Sequence, residues 1–374
     1  MSYLRAIRLT NFRNYANATI LLVPGLNIIV GDNAQGKTNL LEALSFAITG
    51  STPRTPNDAE VVRWGEDFAR TEMRVCLDRA GDEERKVAVG YAPGQKKRLN
   101  VDGVPAPTLT AYAAGGAGVR AVTFFPDDLR IVKAAPADRR EFLDHLLSSL
   151  RPAYARAVAE YAKAVQQRNQ LLRRIRDGIS SERTLSTWDR KVIELGIEVL
   201  KARDATIGPL GSLFGGSVTT LYGPENAALR YSYSAHPEGY AEALREAHRA
   251  DIERGATSVG PHRDDFAILL GGVNLTTYGS QGQQRLATLA LKFAAREYLR
   301  GETGQDPILL FDDVMSELDK ERRGYLSEYF LGSTQAVITT TNLDYFEDKV
   351  LEQARVIRIS GGSVFETTNG GARR

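Results

Sequence analysis

The chain has 374 residues, 43% hydrophobic and 25% charged, which gives room for roughly two ordinary domains with cores of their own. It has no N-terminal apolar run of the secretory kind and no stretch of roughly 18 uncharged apolar residues, so neither a signal peptide nor a membrane span is expected, and a cytoplasmic location is. The single cysteine, Cys76, excludes an internal disulfide, and a net charge of +2 means that any nucleic-acid binding must come from local basic patches.

The first predicted element is a strand carrying Leu4, Ile7 and Leu9, followed by a turn at Asn11-Phe12-Arg13-Asn14-Tyr15. A buried strand, Leu26-Asn27-Ile28-Ile29-Val30, then runs into Gly31-Asp32-Asn33-Ala34-Gln35-Gly36-Lys37-Thr38, and residues 39–49 have helical apolar spacing. The loop fits G-x-x-x-x-G-K-[ST], and the order strand, glycine loop, helix opens a parallel α/β sheet. Glycine lets backbone N–H groups turn inward around phosphates, and the helix N-terminus adds partial positive charge. Lys37 is expected to reach the β and γ phosphates of ATP, and the Thr38 hydroxyl to bind Mg²⁺.

Further along, Lys96-Lys97-Arg98 form a basic turn and Arg139-Arg140 a second basic pair. Tyr154, Val158, Tyr161 and Val165, then Leu185, Trp188, Val192, Leu195 and Val199, repeat at alternating spacings of three and four, as on a coiled-coil seam. Asp177-Gly178-Ile179-Ser180 separates the two runs, so an antiparallel helical hairpin is predicted. Its first helix, about 153–176, is roughly 36 Å long at 1.5 Å per residue, with Arg168, Arg173, Arg174 and Arg176 toward its tip. These basic clusters are candidate phosphate contacts and equally candidates for plain solvated faces.

The α/β character returns at Ala256, with strands at 266–270, 308–311 and 336–340. The domains are therefore set at 1–125, 126–254 and 255–374, a head built from both chain ends around an inserted arm. Tyr278-Gly279-Ser280-Gln281-Gly282-Gln283-Gln284-Arg285 opens a helix, with Ser280 placed to cap it and Gly282 permitting close backbone approach. Ile308-Leu309-Leu310-Phe311-Asp312-Asp313 sets two carboxylates at the C-terminal end of an apolar strand. Asp312 is expected to complete the Mg²⁺ site with Thr38, and Asp313 to polarise the attacking water, the two pointing to opposite faces.

The phosphate loop, the Ser280-Gln281-Gly282-Gln283-Gln284 segment and Ser316-Glu317-Leu318-Asp319 together resemble the ABC ATPases. Three departures stand out. No histidine occurs at Thr339-Thr340-Thr341-Asn342, no glutamine near Phe124-Phe125-Pro126-Asp127, and the usual catalytic glutamate is Asp313, which argues against a transporter head and for slow turnover. The turn at 11–15, the loop 31–39, Pro126-Asp127-Asp128-Leu129, Arg139-Arg140-Glu141-Phe142-Leu143-Asp144 and Gly260-Pro261-His262-Arg263-Asp264-Asp265 are similar to the RecF family of bacterial recombination proteins. Ala134 and Pro53-Arg54-Thr55 depart from that family's pattern.

The resemblance implies an α/β fold: an ABC-type P-loop ATPase head with an inserted α-helical arm. It further implies Gly31 to Thr38, Ser280, Gly282 and Gln283 on nucleotide, Lys37, Asp312 and Asp313 in catalysis, and Arg13 as an adenine or phosphate contact. The implied partners are DNA, single- and double-stranded and at their junctions, a second copy joined through ATP, and the mediators RecR and RecO in loading the RecA recombinase. An SMC-type chromosome ATPase shares the head but has far longer arms, and a small-molecule P-loop kinase lacks the Ser280 segment. His262, with no second histidine or cysteine in its motif, reads as structural or interfacial and not metal-binding.

Overall fold

The computed structural model describes residues 2–366 apart from 56, 78–82, 107–111 and 113–116. It divides the chain into two units, Met1–Asp128 with Ala295–Arg374, and Leu129–Ala294.

In the first unit, β1 (Tyr3–Phe12) buries Leu4, Ile7 and Leu9 on one side. Leu4 and Ile7 are an odd number of residues apart, and a register shift between Leu4 and Ala6 brings them to the same face. With β2 (Tyr15–Leu21), β4 (Ala69–Cys76), β5 (Glu84–Tyr91), β6 (Arg98–Val101) and β7 (Val104–Pro105), it makes an antiparallel sheet ordered β2-β1-β4-β5-β6-β7. The second sheet contains β3 (Gly25–Val30), β8 (Ala121–Phe124), β12 (Ile308–Phe311), β13 (Gln335–Thr340), β14 (Arg355–Ser360) and β15 (Ser363–Glu366). Its order is β15-β14-β3-β13-β12-β8, parallel throughout except for β15 against β14. Helix α1 (Lys37–Thr49) contacts both sheets and is apolar nearly all round, because Leu40, Leu41, Leu44, Phe46 and Ile48 feed one shared core. Truncating the fully buried Leu44 to alanine costs about 2–5 kcal/mol.

The second unit holds α2 (Pro136–Leu150), α3 (Pro152–Arg176), α4 (Leu185–Tyr222), α5 (Tyr240–Glu246) and α6 (His248–Arg254). Helices α3 and α4 form the hairpin expected from the spacing of threes and fours. Tyr161 and Val165 meet Val192 in one core cluster, and Tyr154 meets Val199 in another. Gly196 is required on α4, since an added Cβ would run into the Tyr240 ring.

The second boundary differs from the expected 254/255, because the helical unit continues to Ala294. Strand β10 (Asp265–Leu270) does not join the parallel sheet. It pairs antiparallel with β9 (Ala227–Ser232) and β11 (Val273–Asn274), which satisfies its backbone within the inserted unit. An apolar run of this length reads the same in either sheet, and pairing partners are not visible in local pattern. Helix α7 (Gln281–Thr303) begins in one unit and ends in the other.

Candidate nucleotide site

The 31–38 loop leaves β3 and enters α1 with two residues at positive φ, Ala34 at 62° and Gly36 at 110°. This geometry turns successive N–H groups into one concavity at the start of a helix, an anion-binding arrangement. A Cβ at Gly36 would lie 2.5 Å from Asn14 Nδ2, so glycine is needed for the close approach of the 11–15 turn. That turn braces the loop directly. Asn14 Nδ2 donates to Gln35 O at 3.3 Å, Asn39 Nδ2 to Asn14 Oδ1 at 2.9 Å, and Tyr15 OH to Gly36 O at 2.9 Å.

Arg13, at φ 51°, donates through Nε and Nη2 to the two carboxylate oxygens of Glu42 at 2.9 and 2.6 Å. Glu42 is fully buried on α1 and also receives Arg54 Nη1 at 3.1 Å and the Thr52 hydroxyl. A buried carboxylate requires such charge-assisted bonds. This node passed unnoticed in the sequence, where Glu42 is one acid in a helix. Arg13 is thus held beside the loop, with Nη1 3.7 Å from Glu60 and the side chain largely buried.

Lys37 Nζ donates to Gly31 O and Asp32 O at 2.6 and 2.7 Å. Burial lowers its proton affinity, while Asp313, Asp312 and Asp32 oppose that effect by holding the ammonium charged. Thr38 Oγ1 donates to Asp312 Oδ2 at 2.7 Å, which unites the two expected magnesium ligands. Thr339 of β13 then joins both aspartates: its hydroxyl donates to Asp312 Oδ1 at 2.6 Å and accepts from Asp313 N at 2.9 Å. In the sequence it is one of two threonines that end this strand, which is buried along its whole length.

Strand β12 ends at Phe311, and Asp313 takes a left-handed φ of 46°, so the expected strand alternation does not extend to the pair, and both carboxylates act on the Lys37 ammonium. Ser316 Oγ donates to Asp313 O at 3.0 Å, and Asp319 caps α8 (Lys320–Leu331) by accepting from Arg322 N at 2.9 Å.

In the other unit, Ser280 and Gln283 form a reciprocal capping box at the start of α7. Ser280 N donates to Gln283 Oε1 at 2.9 Å, and Gln283 N to Ser280 Oγ at 3.2 Å. An added Cβ at Gly282 would meet nothing within 4 Å, so the chain's own packing does not demand glycine there.

Several expected phosphate contacts lie inside the fold. Lys97 Nζ binds Gly50 O and Asp58, both at 2.8 Å, and lies over the Phe46 ring. Arg139 is buried in a bidentate pair with Asp265 at 2.7 and 3.0 Å. Arg168, fully buried, holds Asp189, Asp251 and Thr257 at 2.6–2.9 Å. These three support the fold and are corrected from the set of phosphate candidates, since long-range carboxylates satisfy their charge. Arg140 is half-buried, donating to Asp264 O at 2.6 Å, whereas Lys96, Arg98, Arg173, Arg174 and Arg176 are exposed.

His262 Nε2 faces the Thr257 carbonyl at 3.1 Å, so that nitrogen carries the proton and Nδ1 accepts from Tyr161 OH at 2.7 Å. Among the described residues, no group of three or more His, Cys, Asp or Glu could hold a metal, and no helix is long and apolar enough to cross a membrane.

A family model described as an AAA domain matches residues 6–113. The DNA replication and repair protein RecF of Lachnoclostridium phytofermentans is 35% identical over 362 residues, covering 96% of this chain and 98% of that one. RecF of Acetivibrio thermocellus is 36% identical over 375 residues, covering 97% and 100%. Among solved structures, the recombination mediator protein RecF with ATP, of the RecFOR pathway, superposes with a TM-score of 0.89 at 32% identity, covering 98% of each chain. The Smc head domain of Pyrococcus furiosus superposes with a TM-score of 0.58 at 18% identity, a likeness of fold.

Proposed function

The chain belongs to the RecF family of DNA replication and repair proteins, and from that premise we propose that it is an ATP-gated, dimeric DNA-binding protein of recombinational repair that hydrolyses ATP slowly. The observation that carries this reading is the hydrogen-bond chain from the Thr38 hydroxyl through the Asp312 carboxylate and the Thr339 hydroxyl to the Asp313 backbone N–H, beside the braced phosphate loop. Backbone N–H groups of 31–38 and the Lys37 ammonium bind the phosphates. Thr38 and Asp312 offer hard oxygen donors in contact with each other, which fits Mg²⁺, an ion that takes few protein ligands and leans on substrate phosphates. When bound, Mg²⁺ neutralises charge on the β and γ oxygens. Asp313 orients and deprotonates the attacking water, and its reach, one methylene shorter than glutamate, favours slow turnover.

Ser280, Gly282 and Gln283 contact the nucleotide of a second copy, so that two composite sites close together. The open space at Gly282 supports this, because glycine there serves a group outside the chain. Closure gates binding to DNA at gaps and at single/double-strand junctions, where RecR and RecO cooperate in loading the recombinase, in the cytoplasm. Exposed Lys96, Arg98, Arg173, Arg174 and Arg176, with half-buried Arg140, are the remaining phosphate contacts of the original set. An SMC-type chromosome ATPase is the second reading, and the 25-residue α3 is short for it. Sedimentation with ATP, with ADP and with gapped duplex tests the proposal. A monomer–dimer shift with ATP only, and DNA co-sedimenting with the dimer, is expected; a dimer indifferent to nucleotide overturns it.

A further inference from the structure

The charge distribution along the α3–α4 hairpin changes toward its tip. At Arg168 every positive charge meets carboxylates, with Asp189 and Asp251 taking the guanidinium. Beyond it, the segments 173–184 and 248–254 carry six arginines, Arg173, Arg174, Arg176, Arg183, Arg249 and Arg254. Against them stand Asp177, Glu182 and Glu253, leaving aside Asp251, which is buried with Arg168.

Two contacts bring these segments together. His248 Nε2 lies 3.2 Å from Glu182 Oε2 at one end of α6, and Arg173 Nε donates to Gly255 O at 3.3 Å at the other. Arg176 pairs with Asp177 at 3.1 Å. Arg174, Arg183, Arg249 and Arg254 are exposed and, among the described residues, make no ion pair.

Cations near helix C-termini ordinarily answer the helix dipole and the orphan carbonyls. Here the backbone already serves those carbonyls. Asp177 N donates to Arg173 O, Gly178 N to Ile175 O and Ile179 N to Arg174 O, with Gly178 at φ 73°, while Gly255 N and Ala256 N close α6 on Ile252 O and Asp251 O. Capping therefore leaves the side chains of Arg174 and Arg254 uncommitted; Arg183 ends no α-helix, sitting in the short 3-10 turn Glu182–Thr184 that leads into α4, and Arg249 lies in the first turn of α6.

We propose that this arm tip is a docking surface for the phosphate backbone of a nucleic-acid duplex, contacted by Arg173, Arg174, Arg183, Arg249 and Arg254; the proposal rests on the DNA-binding reading above. The guanidinium fork suits bidentate phosphate contact better than an ammonium does. A duplex is favoured over a single strand because neither segment contains Phe, Tyr or Trp on which an unpaired base could stack.

The test uses the full chain with ATP and a labelled duplex of about 30 base pairs, with affinity measured across a salt series. The triple variant R174A/R183A/R249A should reduce the slope of log K against log salt by about 2–3, since each lost phosphate contact removes about 0.9. R174K/R183K/R249K should keep most of the slope. The unfolding midpoint, and ATP hydrolysis measured without DNA, should match the parent in both. A parent that binds duplex, with the alanine variant showing the same slope, overturns the arm-tip site and leaves the DNA-binding reading intact. Loss of an acidic protein partner with unchanged duplex binding also overturns it. A parent that binds no duplex with ATP overturns both.

Discussion

At the scale of residues, the proposed site would separate holding the phosphates from activating water. Lys37→Ala removes the ammonium from the loop and should weaken ATP binding by at least tenfold, whereas Asp313→Asn should retain binding and lower turnover by a hundredfold or more. Nucleotide titration and single-turnover hydrolysis of both variants check this, and equal loss of affinity would contradict the division. His262 supplies a stability prediction. Burial pushes its imidazole down to about 4, from 6.5 in the unfolded chain. Between those values the unfolded state binds the proton and the folded state does not, so the contribution is complete above pH 6.5 and is lost as pH falls toward 4. The loss amounts to about 3 kcal/mol at 1.36 kcal/mol per factor of ten. Unfolding curves at several pH values should be flatter across that window for His262→Gln, and an unchanged pH dependence would show that another group carries it. The glycine-lysine-threonine loop and the paired aspartates were legible residue by residue because each is a contiguous motif. Thr339 and Glu42 were not, since their roles arise from partners on other elements.

At the scale of elements, α7 begins in a capping box that needs Ser280 and Gln283 but not Gly282. Gly282→Ala should therefore stabilise the isolated chain by about 0.5–1 kcal/mol through helix propensity. The same added methyl should weaken ATP-driven dimerisation, because it points where the partner's nucleotide is proposed to sit. Thermal unfolding and sedimentation with ATP separate the effects, and a variant that dimerises like the parent places Gly282 outside the interface. The hairpin α3–α4 was readable from its periodicity. Strand β10 was expected in the C-terminal part of the head and belongs instead to the inserted unit, because strand propensity is local while the choice of partner, here β9, depends on pairing at long range.

At the scale of the whole molecule, the proposed dimerisation through ATP would make two equivalent sites, each joining Lys37 of one copy to Ser280 of the other. Ser280→Arg should leave ATP binding near the parent's and abolish dimerisation and hydrolysis. Mixed with Lys37→Ala, it should recover up to half of the parent's rate per heterodimer if one site can fire alone, since both lesions then fall in one composite site. No recovery in demonstrated heterodimers would mean that Ser280 acts on its own chain's nucleotide or that the sites fire together. The sequence by itself determined the phosphate loop, the paired aspartates, the helical hairpin and the family, because these are written in contiguous motifs and short periods. Only the tertiary structure decided which charges are internal. Lys97, Arg139 and Arg168 look like surface cations in the chain, and each is neutralised by a carboxylate or carbonyl remote in sequence. Burying a charge costs several kcal/mol unless a partner is brought to it, and only the folded chain specifies that partner.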